Sequence, residues 1–118
     1  MDQRKGTITI EKIKMENLNN IKETVLKIIQ NIGSIDEKSL SKVTVDKFDK
    51  ILSLQSCNIK LSNSLNNFDT NDYRIDKSTV FNYKMKYTST GDITNEDVTD
   101  LNKIYQKHKN IAKLLLKS

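Results

Sequence analysis

One cysteine, Cys57, and one histidine, His108, are the side chains in this 118-residue chain best suited to bind a metal or attack a carbonyl, and they stand 51 positions apart. A metal centre or an activated nucleophile needs several ligating or activating groups in one place, and a single thiol and a single imidazole do not supply them. Cys57 has no neighbour in sequence that would make it a thiolate and reads as a small core or boundary residue. His108 falls on an apolar helical stripe and reads as a hydrogen-bonded boundary histidine rather than a catalytic one. The adjacent carboxylates Asp36/Glu37 and Glu96/Asp97 would do acid–base work only in a pocket that drove their pKa values apart. Both pairs sit where helices are expected to begin and serve there as first-turn charges. The three glycines stand alone at 6, 33 and 91, so no phosphate-cradling loop is present. The expectation is a non-enzymatic chain without cofactor or metal.

The net charge of +5 and the pI near 9.3 raise the question of nucleic acid. Phosphate binding uses clustered Lys and Arg, usually joined by stacking aromatics or base-reading arginines. Here 18 of the 20 basic residues are lysine, and the aromatics make up 6% of the chain and are scattered. In the C-terminal segment Asp92, Glu96, Asp97 and Asp100 precede Lys103, Lys107, Lys109, Lys113 and Lys117. Acid at the start of a helix and base at its end is the order the helix dipole favours. Direct binding to nucleic acid is therefore kept as a subordinate alternative.

Proline is absent, which permits long uninterrupted helices. Residues of apolar type make up only 36% of the chain, a lean supply for a soluble domain, and the sequence nevertheless lays them out in long stripes. Helices of this kind gain most of their stability from tertiary burial, so a shared core with another chain is expected. No apolar run nears the roughly 20 residues of a membrane span, and the N-terminus has no signal-peptide core. A lone cysteine suits a reducing compartment, cytosolic or nuclear.

Leu18, Ile21, Val25, Ile28 and Ile32 recur at steps of three and four and predict a first helix over about 7–32, ended by Gly33. Its beginning is less distinct, because Thr7-Ile8-Thr9-Ile10 alternates as a short strand would. Ser34 and Glu37 match a capping box for a short following turn. A second helix, about 44–68, begins at Thr44 with Asp46 in its first turn and carries Phe48, Ile51, Leu54, Leu61, Leu65 and Phe68. Asn58 lies on that stripe and is expected to be exposed, with Cys57 and Ile59 flanking it. The alternation from Phe81 to Tyr87 predicts an extended strap over about 79–88, although Val80, Tyr83 and Tyr87 also fit helical spacing. Thr94 caps a last helix over about 94–117, with Val98, Leu101, Tyr105, His108, Ala112 and Leu115 as its stripe.

The order of these elements resembles the fungal subunit 11 of the Mediator head module. The residues that carry the likeness are Leu18-Asn19-Asn20-Ile21, Val25, Ile28, Ile29 and Gln30 in the first helix. Phe48, Leu52 and Ile59 in the second helix and Arg74-Ile75, Val80 and Lys84 in the extended stretch are similarly placed. A proline expected in that stretch is missing. The resemblance implies a structural subunit whose helices pair with Mediator subunit 22 in a four-helix bundle, in a nuclear assembly that links activators to RNA polymerase II. It implies no catalytic residues.

The expected architecture is thus one all-α domain, a helical hairpin plus a C-terminal helix, completed as a four-helix bundle or coiled coil by a partner chain. The expected partner-binding residues are Leu18, Ile21, Val25 and Ile28 on the first helix with Phe48, Ile51, Leu61 and Leu65 on the second. The expected function is a structural or adaptor subunit, with a small scaffold of a trafficking or kinetochore-type complex as the alternative.

Overall fold

Among the described residues four helices account for nearly all of the backbone: α1 (Gln3–Ile32), α2 (Val45–Leu65), α3 (Asn71–Thr90) and α4 (Asn95–Leu116). The structure, a computed structural model, describes the backbone of residues 3–33, 35, 38, 43–65 and 69–117 and the side chains from residue 17 onward. The Ser34–Glu37 capping box and the stretch from 66 to Phe68 lie outside the described residues. Among the described residues there is no strand, and the alternating Thr7 to Ile10 segment belongs to the backbone of α1.

The helix boundaries follow local chemistry. Gly33, after α1, and Gly91, after α3, take φ of 71° and 70°, left-handed values that cost a residue with a Cβ but not glycine. The Gly91 N–H donates to the Tyr87 carbonyl at 2.8 Å and closes α3. Thr94 caps α4: its hydroxyl accepts from the Asp97 N–H at 3.1 Å, while the Asp97 carboxylate accepts from the Thr94 N–H at 3.2 Å. The Thr44 carbonyl accepts from the Lys47 and Phe48 N–H groups at the start of α2.

The strap expected over 79–88 is instead the second half of α3. No glycine or proline interrupts 71–90, and Tyr73, Val80, Tyr83 and Tyr87, at helical spacing, bring one side of the helix against α2 and α4. Burial of that side outweighs the strand preference of the individual Tyr, Phe and Val residues, which is weak and set by context. The chain therefore contributes four helices itself where three and a strap were expected.

α2 is the central element and packs against each of the other three helices, whereas among the described residues the backbones of α1 and α3 do not approach each other closely. Cross-contacts show the last three helices reversing direction in turn: Lys84 of α3 reaches Asp49 near the start of α2, and Lys86 of α3 reaches Asp97 at the start of α4. The core is drawn from all four: Val25, Ile28 and Ile32 from α1, Phe48, Ile51, Leu54 and Leu61 from α2, Val80 from α3, and Val98, Leu101, Tyr105, Ala112 and Leu115 from α4. The molecule is elongated, 61 × 27 × 25 Å, with its helices packed side by side and α1 the longest of them.

Candidate functional site

The sequence-expected partner residues converge, but inward. Val25, Phe48, Ile51 and Leu61 are fully buried and Ile28 nearly so, while Leu18, Ile21 and Leu65 are half-buried against the same cluster. Five of the eight belong to the chain's own core and the other three pack against it, partly exposed.

The open apolar surface lies elsewhere, on the side of α2 that looks out between α1 and α3. A groove of about 620 Å³ between α2 and α3 is lined by Leu52 and Ile59 from α2 and by Arg74, Lys77, Ser78, Phe81 and Asn82 from α3. Leu52 and Ile59 are half-buried and form its apolar floor. Phe81 is 49% exposed and stands as its wall, with Met85, 47% exposed, one turn further along. A second depression shares Leu52 and Lys77 with the groove and continues across α2 toward α1, reaching Thr24, Ser53, Ser56, Cys57 and Lys60. Among the described residues this floor stays open between α2 and α3.

Charge is sorted around the groove. Asp76 of α3 turns away toward α4, where its carboxylate holds Lys107 Nζ at 2.9 Å and His108 Nε2 at 3.1 Å. Asp49, at the edge of the second depression, is taken by Lys84. Lys86 is bound by Asp97, whose pKa that hydrogen bond holds below the usual carboxylate range. Arg74, Lys77 and Lys60 remain at the groove, and among the described residues no carboxylate lies within ion-pair distance of them.

The bundle interior has a polar stretch where sequence reasoning expected exposure. Asn58 is fully buried and its amide donates to the His108 carbonyl at 2.9 Å. The reason is register: Phe48, Ile51, Gln55, Asn58 and Ser62 follow steps of three and four along one face of α2, so Asn58 cannot turn out without exposing Ile51. His108 is likewise a core residue, not a boundary one, with the Tyr73 ring edge-on to it at 5.6 Å. Burial pushes its pKa below the ordinary histidine value, against the opposing pull of Asp76. Cys57 is half-buried and its thiol pKa is raised by that burial, the reverse of a reactive cysteine. The Tyr83 phenol donates to the Asp100 carboxylate, which, with burial, pushes its pKa up to about 12. None of these groups lines the α2–α3 groove itself, although Cys57 lines its continuation toward α1, and among the described residues no three His, Cys, Asp or Glu side chains gather as a metal site would require.

Among the described residues the geometry is that of a four-helix bundle with an open, partly apolar groove between α2 and α3 and a basic rim. Comparison with protein-family models, with curated proteins and with solved structures finds no match to this chain. The groove itself was hidden from sequence reasoning because its apolar residues, the half-buried Leu52 and Ile59 and the exposed Phe81, come from two different helices. The signal available was the four-residue step from Lys77 to Phe81 to Met85, a helix face inside the apparent strand pattern.

Proposed function

We propose that this chain is a non-catalytic helical adaptor that holds a protein partner on the open face of α2 beside α3. The observation that carries the reading is the α2–α3 groove. Phe81, about half exposed on α3, lines it with Leu52 and Ile59 of α2, and among the described residues this concave, partly apolar surface stays open, with the exposed Met85 one turn along α3 from Phe81. Contiguous apolar surface of this kind costs solubility and is retained where a partner covers it. A helix-lined groove is the form that accepts another helix.

In its narrower form, drawn from the resemblance to the Mediator head-module subunits, the partner is Mediator subunit 22 and the setting is the RNA polymerase II coactivator in the nucleus. The burial of Val25, Ile28, Phe48 and Ile51 favours the groove side of α2 over the faces those residues occupy as the seat of such a partner. The test is amide hydrogen exchange of the purified chain alone and after co-expression with Mediator subunit 22. A 1:1 complex that slows exchange in residues 52–60 and 74–85 supports both forms. Absence of a complex removes the Mediator form, and a complex that protects only the outer face of α4 removes the groove as the docking site.

A further inference from the structure

We infer that the α2–α3 groove takes the apolar face of an acidic amphipathic helix. The inference rests on the adaptor reading and adds the chemistry of the partner. The floor and wall are apolar, so the occupant must present apolar side chains: Leu52, Ile59 and Phe81 offer nothing that a polar segment would prefer to water. The groove runs between two packed helices, and its volume accepts a few large side chains from one face of a third helix.

The rim decides the charge of that helix. Four lysines elsewhere are already held by aspartates: Lys50 by Asp46, Lys84 by Asp49, Lys86 by Asp97 and Lys107 by Asp76. Arg74, Lys77 and Lys60 stand around the groove and its continuation with no carboxylate at ion-pair distance among the described residues. Among the described residues that line this surface the one carboxylate, Asp49, is neutralised by Lys84. A docked acidic helix would set its carboxylates against three cations that have lost little hydration to other partners, which steers encounter and fixes register. A second copy of this chain fits less well, because it would bring one basic rim against another on a molecule already at +5. Nucleic acid would find an apolar floor where its phosphates need charge.

The experiment displays amphipathic helices of about 15 residues, long enough to hold a helical face, in acidic, neutral and basic classes with the same Leu and Phe anchors. Selected peptides are then measured by fluorescence anisotropy against the whole chain. The acidic class should be enriched, and its affinity should fall as salt rises. Phe81→Asp should abolish binding, and Arg74→Glu with Lys77→Glu should weaken the acidic peptides at least about tenfold while gaining the basic class. That exchange of preference is a readout that loss of folding would not produce, and circular dichroism of each variant records whether the helices persist. Enrichment of the neutral or basic class, or acidic binding indifferent to the charge reversal, overturns the inference. Phe81-dependent binding of the neutral class would leave the adaptor reading standing without it, whereas no Phe81-dependent binding in any class would remove both.

Discussion

His108 shows how a single side chain couples this bundle to pH. Its ring is fully buried, with Nε2 3.1 Å from the Asp76 carboxylate, Lys107 sharing that carboxylate and Tyr73 edge-on. Burial lowers its folded pKa below the unfolded value of 6.5, and Asp76 opposes that shift. A depressed folded pKa means that, as pH falls below about 6.5, the unfolded chain takes up a proton that the folded chain resists, so stability present above 6.5 is lost toward acid. The urea midpoint should therefore drop between pH 7.5 and 5.5, and Asp76→Asn should deepen the drop by removing the group that favours the imidazolium. The imidazole proton shift in NMR, followed through the same range, reads the pKa directly, and a pKa above 6.5 would reverse the sign. Nearby Gln55 is fully buried, and neither its amide nitrogen nor its oxygen has a hydrogen-bond partner among the described residues. Gln55→Met keeps the shape and removes the desolvated polar atoms, and it should raise stability by about 1–3 kcal/mol in urea unfolding. A loss of stability would mean that the amide is satisfied in solution.

At the scale of elements, the decisive local device is the reciprocal cap of α4 between Thr94 and Asp97. Thr94→Ala should cost about 1 kcal/mol of unfolding free energy, and Thr94→Ser should restore most of it. This cap was legible because Thr94, Glu96 and Asp97 state it in four consecutive positions. The cores of α1, α2 and α4 were legible for a related reason: each keeps its apolar residues on one stripe, so periodicity reports the buried face. α3 breaks that rule. Tyr73, Val80, Tyr83 and Tyr87 face inward while Ile75, Phe81 and Met85 face out, and the two sets together imitate the alternation of a strand. A helix with apolar residues on two sides has no single stripe to detect, and only the packing of α2 and α4 against one of them shows which side is core. The same cause hid the groove, whose floor and wall come from two different helices. Backbone carbon chemical shifts across 79–88 should be helical, and strand-like shifts there would contradict the position of α3.

For the whole molecule, the consequence is that folding and docking use different faces. The core is assembled from all four helices of one chain, with Ile51 at its centre and fully buried, whereas Phe81 is 49% exposed on the rim of the groove. Ile51→Ala removes buried methylenes and leaves a cavity, which should lower stability by about 2–5 kcal/mol. Phe81→Asp adds a charge where water already reaches, on a basic rim, and should change the urea midpoint by no more than about 0.5 kcal/mol in equivalent stability. The isolated chain should accordingly give helical circular dichroism and one cooperative unfolding transition without a partner. A partner added in excess should raise the midpoint of the wild type and of Ile51→Ala by similar amounts, because ligand that binds only the folded state stabilises it by mass action whatever the starting stability. Phe81→Asp should gain nothing. If the chain alone were unfolded and became helical only in a complex, the eight inward-facing residues of α1 and α2 would have to be counted as interface. The groove would then be a secondary surface of a larger bundle.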